Sequence, residues 1–367
     1  MIFLIDGHSI AFRAFYALPE TLTTKDGFPT NVIHGFLMMI SKLVKNYDIE
    51  KIIITWDVSK KTFRNDIYQD YKANRSSSPE NFKIQIKELQ NLLTKFNLPQ
   101  VSLEGFEADD VLGSLSNYFN KQNKKVTIVT GDRDSFQLIS SKTKIMYTKR
   151  GISDVEIYDS EAFKEKYQIS TKQYVEYLAL KGDKSDNIPG LPGVGEKTAI
   201  SLLQKYKNIT NIYKNLNNLT PKLQSNFLDN KDILLMSKDL AMIKTDLDLH
   251  VPSTKLNETV FFDKQILEQS KKDISKYELS RFLGEREVVS KEKVEKKELK
   301  ISKIKDDINI DSIVFIFDNK NYFVNKKQYG EFESLEIFRN VISFSSQEIF
   351  NSQKNISMNN FIAYDCM

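Results

Sequence analysis

The chain has 367 residues and a formal net charge of +4, from 53 Lys and Arg against 49 Asp and Glu, with a sequence pI near 8.7. Its length predicts about two or three domains, and an apolar fraction of 40%, which includes 24 Phe and 16 Tyr, excludes a wholly disordered chain. The only cysteine, Cys366, excludes a disulfide framework, and three scattered histidines do not supply a Cys/His zinc site. The same histidines, His8, His34 and His250, leave a Ser–His–Asp hydrolase poorly supplied with a base.

The apolar segments are too short for a membrane protein. No apolar run approaches the roughly 20 residues that a membrane helix needs. The opening segment MIFLID reaches Asp6 too early to contain the apolar stretch of a signal peptide. We therefore expect a cytoplasmic protein.

Residues 1–170 predict an α/β domain with a mostly parallel sheet, because short apolar runs alternate with helix-like stretches. Within the runs, apolar and polar residues do not alternate, which is typical of central strands covered on both faces. The predicted strands are Ile2–Asp6, Lys51–Asp57, Lys125–Gly131 and Lys144–Thr148. Thr30–Asn46 and Asn81–Phe96 carry apolar residues at three- and four-residue spacing and predict helices.

The rest of the chain divides into three stretches. Residues 171–284 predict a largely helical unit with breaks at IPGLPGVG, NLNNLTP and HVPS. Residues 285–309 are dense in alternating charge and predict a solvated linker. DSIVFIFDNKNYFV predicts a β-hairpin that turns near Asn319 and Lys320 and begins a smaller unit over residues 310–367.

Acidic residues follow the predicted strands. Asp6 and Asp57 end the first two strands, and Asp132 and Asp134 follow the third. The carboxyl ends of parallel strands meet at one edge of a sheet, so these acids should converge. One such acid alone, Asp6 for example, could equally cap a helix or a turn.

Five further acids lie in two other segments. The segment EGFEADD opens a helix that runs to about Phe119, and KGDKSDNIPG places two acids three residues apart, which predicts one helical face. These acids are Glu107, Asp109, Asp110, Asp183 and Asp186. Nine acids in one place repel one another unless cations neutralise them, and oxygen ligands select Mg²⁺ or Mn²⁺. Two such ions about 3.5–4 Å apart are the usual arrangement for displacement at phosphorus. The acids therefore predict a two-metal phosphodiesterase.

A basic segment with interleaved aromatic residues lies between Asp57 and Glu107. Such a mixture suits a single-stranded nucleic acid, whose phosphates need neutralising and whose bases stack. For Lys83 and Lys87 we prefer an ordinary charged helix face. The basic residues are Lys60, Lys61, Arg64, Lys72, Arg75, Lys83 and Lys87, and the aromatic residues are Phe63, Tyr68 and Tyr71.

The glycine-rich segment GLPGVGEKTAISLL begins at Gly190 and does not match a nucleotide-binding loop. Glu196 separates Gly195 from Lys197, where a Walker A loop needs adjacent Gly and Lys, and Thr198 stands where a dinucleotide fingerprint needs Gly. A glycine-rich hairpin before a helix N-terminus still suits a phosphate. We expect it to contact a duplex backbone without sequence preference.

Taken together, these motifs resemble the 5′ nuclease domain found at the N-terminus of bacterial DNA polymerase I, in the flap-endonuclease superfamily. The resemblance covers residues 1 to about 283, with every acid of the family in place. It is carried by LIDGHSIAFRAFYAL, TWD, YKANR, EGFEADDVLGSL, TGDRDSFQL and LKGDKSDNIPGLPGVGEKTA.

The resemblance implies a resolvase-like (PIN-like) α/β core with a helical arch over residues 58–100, followed by a helix–hairpin–helix that binds duplex DNA with a K⁺ ion. A first divalent ion would be held by Asp57, Asp109, Asp110 and Asp132, with Asp6 and Glu107 acting through water. The second ion would be held by Asp134, Asp183 and Asp186.

The resemblance also implies the DNA contacts. Lys72 and Arg75 would contact the scissile phosphate, Tyr71 would stack on a base, and Arg13 would hold a nearby phosphate. The other DNA-binding residues that we predict are Lys60, Lys61, Arg64, Gly190, Gly193, Gly195, Lys197 and Thr198.

The expected activity is that of a metal-dependent 5′→3′ exonuclease and flap endonuclease. Its substrates would be DNA with a 5′ flap, a nick or a 5′ end, or an RNA primer on DNA. We expect a monomer with a polymerase domain in the same chain or a separate one. The alternatives are a PIN-like metal-dependent ribonuclease and a non-catalytic DNA-binding module.

Residues 310–367 faintly resemble the start of a 3′→5′ exonuclease domain. Such a domain carries Asp-x-Glu on its first strand, where this chain has Phe315, Ile316 and Phe317. The second metal-binding Asp should fall near SFSSQEIFNSQ, where only Glu348 is available. We therefore expect this segment to be degenerate and without 3′→5′ activity.

Overall fold

The structure is a computed structural model that describes residues 1–59, 61–150 and 154–251, Ser275 and Tyr277, and the backbone of five strands between residues 312 and 363. The chain forms two compact units, Met1–Glu287 and Val288–Met367.

The first unit contains a six-stranded sheet in the order β3-β2-β1-β4-β5-β6. Its first five strands pair in parallel, and β6 pairs antiparallel with β5. The strands are β1 Ile2–Asp6, β2 Lys51–Thr55, β3 Gln100–Val101, β4 Val126–Thr130, β5 Thr143–Arg150 and β6 Asp154–Tyr158. The predicted α/β class with a mostly parallel sheet is therefore confirmed.

Helices cover both faces of this sheet. Ile2 and Leu4 of β1 join one apolar core, and Phe3 and Ile5 join the other, so every residue of the strand is buried. The helices of the α/β part are α1 Gly7–Ala17, α2 Asn31–Asn46, α3 Phe63–Ile67, α4 Glu80–Lys95, α5 Ala108–Lys121 and α6 Ser160–Tyr167, with a 3₁₀ segment at Asp134–Leu138. Helices α1, α2 and α4 pack on the Phe3 side, and α5 packs on the Ile2 side.

Helix α4 lies inside the range expected to form the arch, but it is a core helix. Phe82, Leu89 and Leu93 are at most 2% exposed and pack in the same core as α2. Lys83 and Lys87 lie on its exposed face, as the charged-face interpretation predicts.

Residues 171–241 of the first unit are largely helical. They consist of α7 Tyr174–Lys181, α8 Glu196–Tyr206, α9 Ile209–Lys214, α10 Pro221–Asp229 and α11 Lys231–Ala241, with 3₁₀ turns at Thr171–Gln173 and Leu216–Asn218. Asp183 and Asp186 lie in the loop between α7 and α8, in a turn closed by the Asp183–Ile188 bridge. The prediction that they share a helical face is wrong, because Gly182 ends α7 with a φ of 73°.

The second unit contains a five-stranded sheet in the order β11-β10-β7-β8-β9. The predicted hairpin is present as an antiparallel pair of β7 and β8, in which Phe317 pairs with Lys320. The strands are β7 Ser312–Phe317, β8 Lys320–Val324, β9 Tyr329–Phe332, β10 Val341–Ser343 and β11 Phe361–Ala363. Across the described residues of both units, no helix combines the length and apolarity of a membrane span.

Candidate active site

Asp6 stands at the end of β1 and caps helix α1. Its Oδ1 accepts the Ser9 backbone N–H at 3.0 Å, and its Oδ2 accepts the Thr130 hydroxyl at 2.8 Å. The side chain is 6% exposed. Burial and the charge of Asp57 raise its pKa to about 7.

Asp57 follows β2 and connects it to the start of α5. Its Oδ1 accepts the Ala108 backbone N–H at 2.8 Å, and His8 Nδ1 lies 3.5 Å from its Oδ2. Burial would raise the pKa of Asp57, but hydrogen bonds from His8 and from Ala108 lower it below its usual value.

Asp132 and Asp134 lie just beyond β4, next to Asp109 on α5. Thr130 Oγ1 accepts the Asp132 N–H, and Asp132 Oδ1 accepts the Asp134 N–H, each at 2.9 Å. The Ser135 hydroxyl donates to Asp109 Oδ1 at 3.3 Å. The loop is therefore held by side-chain to backbone bonds of its own, and a side-chain bond from Ser135 to Asp109 connects it to α5.

These carboxylates repel one another. Burial and then the charge of Asp132 raise the pKa of Asp109 and of Asp134 well above the usual value, and burial raises that of Asp132 as well. Their donor atoms are all oxygens, and their charge fits hard divalent cations. Within the described residues, no group of three or more His, Cys, Asp or Glu side chains is arranged so that it could hold a metal ion.

A second group of acids is paired with cations. Lys72 Nζ lies 2.8 Å from Glu107 Oε1 and 3.5 Å from Asp186 Oδ2, and Arg75 pairs with Asp186. Burial disfavours the charged forms of Asp186 and of Lys72. Lys72 and Arg75 nevertheless lower the pKa of Asp186, and Glu107 and Asp186 raise the pKa of Lys72. Asp183 Oδ1 accepts the N–H and the hydroxyl of Ser185, each at 2.7 Å.

Two family descriptions match most of the chain. Residues 1–168 match the 5'-3' exonuclease N-terminal resolvase-like domain, and residues 169–262 match the 5'-3' exonuclease C-terminal SAM fold. The chain belongs to the 5′–3′ exonuclease family. The family resemblance predicted from the motifs is therefore confirmed.

Relatives within this family are longer than the chain. DNA polymerase I of Caldicellulosiruptor bescii is 39% identical over 250 residues, which cover 68% of this chain and 29% of that protein. DNA polymerase I of Bacillus subtilis is 36% identical over 265 residues, which cover 72% of this chain and 30% of that protein. The chain thus spans less than a third of the length of these relatives.

Solved structures share the fold. The T5 D15 protein co-crystallised with metal ions has a TM-score of 0.56 at 20% identity, over 75% of this chain and 98% of that one. The catalytic core of Rad2 in complex with a DNA substrate has a TM-score of 0.51 at 20% identity, over 77% of this chain and 90% of that one. At this identity the likeness establishes the fold alone.

The glycine loop of this family member presents an open surface. A Cβ atom added at Gly193 or Gly195 would meet nothing within 4 Å, and Lys197 and Thr198 are exposed on the first turn of α8. A groove of about 640 Å³ runs along the loop between residues 181 and 195. Gly193, Gly195, Lys197 and Thr198 are thus free to approach a ligand.

Gly190 does not belong to this surface. It is buried with a φ of 69°, and a Cβ there would lie 2.4 Å from the Gly182 nitrogen. Its N–H donates to the Ser237 hydroxyl at 3.0 Å. The prediction that Gly190 binds DNA is wrong, because its role is to let two backbone segments pack closely.

Two other predicted DNA contacts are buried. Arg64 is 2% exposed and pairs with Asp110, so its side chain cannot reach a DNA backbone. Tyr71 is 5% exposed, and its hydroxyl lies within hydrogen-bonding distance of Glu107 Oε2, at 3.2 Å, and of Asp186 Oδ2, at 3.3 Å. A base cannot stack on the Tyr71 ring in this arrangement, and the residue instead connects two acids.

The other predicted basic contacts differ in their surroundings. Arg13 donates to the Lys149 carbonyl at 3.0 Å and to the Gly131 carbonyl at 3.3 Å, which holds it beside the end of β4. Lys61 is exposed. Lys60 lies outside the described residues.

Sequence reasoning missed three polar side chains that position the acids. His8 contacts Asp57, and the hydroxyl of Ser9 accepts the Gly131 N–H at 2.7 Å. The Thr130 hydroxyl donates to Asp6 Oδ2 and accepts the Asp132 backbone N–H. Their position beside the strand-end acids in LIDGHS and VTGD was the available signal.

Proposed function

We propose that the chain is a divalent-metal-dependent 5′→3′ exonuclease and flap endonuclease that hydrolyses DNA phosphodiester bonds. The observation that carries this proposal is that one site holds both mutually repelling carboxylates and fixed positive charges. Asp6, Asp109, Asp132 and Asp134 repel one another, whereas Lys72 and Arg75 stand beside them on Asp186. A polyanionic substrate needs both features, metal ligands and fixed cations.

The acids divide into two sets of oxygen donors. Asp57, Asp109 and Asp132 would hold a first ion, with Asp6 and Glu107 acting through water. We leave Asp110, which was expected in this set, out of it because it is fully buried and paired with Arg64. Asp134, Asp183 and Asp186 would hold the second. Divalent ions bound there supply Lewis-acid stabilisation of the phosphate and lower the pKa of the attacking water.

The basic residues act on the phosphate group. Lys72 and Arg75 orient the scissile phosphate and stabilise the charge that develops on it while the water oxygen attacks phosphorus and the P–O bond breaks in line. Their present acidic partners hold them at the site, with Lys72 Nζ 2.8 Å from Glu107.

The finer parts of the proposal concern the substrate and setting. Gly193, Gly195, Lys197 and Thr198 would contact the duplex beside a flap, nick or 5′ end, with K⁺ at the hairpin and Mg²⁺ or Mn²⁺ at the acids. RNA primers on DNA would also be substrates. We also propose that the protein is a cytoplasmic monomer. A polymerase domain would lie in the same chain or in a separate one.

Asp132→Asn tests the function. We expect cleavage of a 5′-flapped DNA to fall at least tenfold, a change of about 1.4 kcal/mol or more in activation free energy, because the amide lacks the charge that holds a metal. Binding of the flap in Ca²⁺ should persist. The measurements are single-turnover cleavage in Mg²⁺ and an equilibrium binding titration.

Asp229→Asn is the matched control, because Asp229 is exposed at the end of α10 and far along the chain from every predicted ligand. It should cleave at the wild-type rate. Retention of more than a tenth of wild-type turnover by Asp132→Asn would exclude the proposed role. A wild-type protein that cleaves single-stranded RNA but not the DNA flap would favour the ribonuclease alternative.

A further inference from the structure

We infer that Arg64 and Asp110 form a buried positioning pair, rather than a DNA contact and a metal ligand, and that this pair sets the geometry of Glu107 and Lys72. The inference rests on the proposed function, since the residues that it positions are those of the proposed site. Arg64 is 2% exposed and Asp110 is fully buried.

Four of the five N–H groups of the Arg64 guanidinium donate hydrogen bonds within the protein. Its Nε donates to the Leu240 carbonyl at 2.9 Å, and its Nη2 donates to Asp110 Oδ1 and to the Met242 carbonyl, each at 2.9 Å. Its Nη1 donates to Asp110 Oδ2 at 2.7 Å and lies 3.3 Å from Glu107 Oε2. The group is 2% exposed and its Nη1 also lies beside the Glu107 carboxylate, so the guanidinium is not available to a phosphate.

The Asp110 carboxylate is saturated. Oδ1 accepts Arg64 Nη2 at 2.9 Å and the Lys244 backbone N–H at 2.8 Å. Oδ2 accepts Arg64 Nη1 at 2.7 Å and the Glu107 backbone N–H at 3.2 Å. Two oxygens offer about four lone-pair sites, and all four are occupied here, so a metal would have to displace a bond from a buried cation or a backbone amide.

The pair joins three parts of the first unit. Arg64 lies on α3, Asp110 lies on the first turn of α5, Leu240 lies on the last turn of α11, and Met242 and Lys244 follow the end of that helix. The segment after α11 forms two further bonds to α5: Asn117 Nδ2 donates to the Thr245 carbonyl at 2.7 Å, and the Leu247 N–H donates to Ser114 Oγ at 3.2 Å. Helix α5, whose first turn carries site acids, is therefore bonded to α3 at Asp110 and to the segment after α11 at Asp110, Ser114 and Asn117.

Glu107 transmits this geometry to Lys72. Its Oε2 contacts Arg64 Nη1, and its Oε1 contacts Lys72 Nζ. A displaced guanidinium would let Glu107 rotate, and Lys72 would lose the partner that aims its ammonium group. Neither Arg64 nor Asp110 touches the proposed substrate, so both are positioning residues.

The test uses Arg64→Lys, Asp110→Asn and the double variant Arg64→Gln/Asp110→Asn. Each single variant should slow single-turnover cleavage by roughly 10- to 100-fold, the scale of a small misplacement at a reacting centre. The Mg²⁺ concentration for half-maximal rate and the dissociation constant for a flap in Ca²⁺ should stay within about twofold, because neither ligand number nor DNA contact changes. Because the pair acts as a unit, the double variant should be no slower than the slower single variant.

Asp109→Asn is the matched control on the same helix turn, and it should raise the Mg²⁺ requirement. A raised Mg²⁺ requirement in Asp110→Asn with an unchanged one in Arg64→Lys would make Asp110 a ligand and overturn the inference. Weaker flap binding with a smaller salt slope in Arg64→Lys would make Arg64 a DNA contact and overturn it equally.

Thermal unfolding separates this inference from the proposed function. If the wild type does not cleave a flapped DNA, the proposed function is wrong. The unfolding temperatures of the single and double variants still test whether Arg64 and Asp110 act as a pair. Single variants that lose cooperative unfolding, together with a double variant that regains it, support the pair. Losses that simply add in the double variant contradict it.

Discussion

Lys72 has an unusual backbone for its residue type. Its φ is 56°, in the left-handed region that non-glycine residues rarely adopt, and such strain persists only when the surroundings impose it. Here the Lys72 N–H donates to the Asp186 carbonyl at 2.9 Å, and its own carbonyl accepts the Arg75 N–H at 3.1 Å. The backbone thus directs the ammonium group toward Glu107 and Asp186.

Replacing Lys72 with Ala should separate rate from affinity. We expect the single-turnover rate to fall on the order of 100-fold, because the contact of the ammonium strengthens as charge develops at the phosphate. Flap affinity in Ca²⁺ should change much less. Rapid-quench cleavage and an equilibrium titration measure the two quantities.

Lys83→Ala is the control for this variant. Lys83 is exposed on α4 and pairs only with Glu80, three residues away. Both its rate and its affinity should match the wild type. Equal losses of rate and affinity in Lys72→Ala would mean that Lys72 binds the substrate uniformly rather than favouring the transition state.

At the scale of elements, helix α8 provides a second case in which DNA binding can be separated from the cleavage rate. Its N-terminal turn exposes Lys197 and Thr198 next to the open backbone of Gly193 and Gly195, where helix N–H groups favour a phosphate. Lys197→Ala should weaken duplex binding and reduce the slope of log affinity against log salt by about one, because one phosphate contact is lost. The single-turnover rate at saturating DNA should stay within about twofold.

Lys205→Ala provides the matched comparison. Lys205 is exposed on the last turn of the same helix, where its ammonium lies over the Tyr206 ring. Its removal changes the net charge equally but should leave the salt slope unchanged. A similar slope change in both variants would show that only overall charge matters.

The elements that the sequence predicts well are those whose local pattern is continuous. The strands β1, β2 and β4 are wholly buried, so their apolar runs show directly in the sequence. Strand β3 has only two residues, and β6 is half exposed at the edge of the sheet, so neither has a clear pattern. Their pairing depends on tertiary contacts that a local window does not contain.

The sequence predicted which types of residue form the site, but not always which way each side chain faces. Carboxylates at strand ends lie where parallel-sheet geometry predicts, as Asp6 and Asp132 show. Arg64 and Lys72 sit in one basic segment, yet one is buried on Asp110 and the other faces the acids. Nothing in their spacing separates the two roles, because α3 ends after five residues and the chain then turns.

At the scale of the whole molecule, all proposed site residues lie in the first unit, before residue 241. Deleting residues 290–367 should therefore leave flap cleavage within about twofold, a change of under about 0.5 kcal/mol in activation free energy. The site of this cut matters, because Tyr277 is 6% exposed and its hydroxyl donates to Glu88 at 2.6 Å. A deletion of residues 271–367 removes this contact.

The longer deletion is the comparison for the shorter one. Losing the buried Tyr277 ring should lower the free energy of unfolding by about 3 kcal/mol, the usual cost of removing a large core side chain. The unfolding temperature should therefore fall in the 271–367 deletion and not in the 290–367 deletion. Loss of cleavage in the shorter deletion, with its fold retained, would place part of the active machinery in the second unit.

The second unit itself should have no 3′→5′ activity. Its first strand, Ser312–Phe317, carries no acid, whereas a metal-dependent exonuclease needs carboxylates close to the scissile phosphate. A blunt duplex labelled at its 3′ end should keep the label while its 5′ end is degraded. Glu348, which lies outside the described residues, is the acid to replace. If the wild type does degrade the 3′ end and Glu348→Ala abolishes that activity, the second unit has a working site.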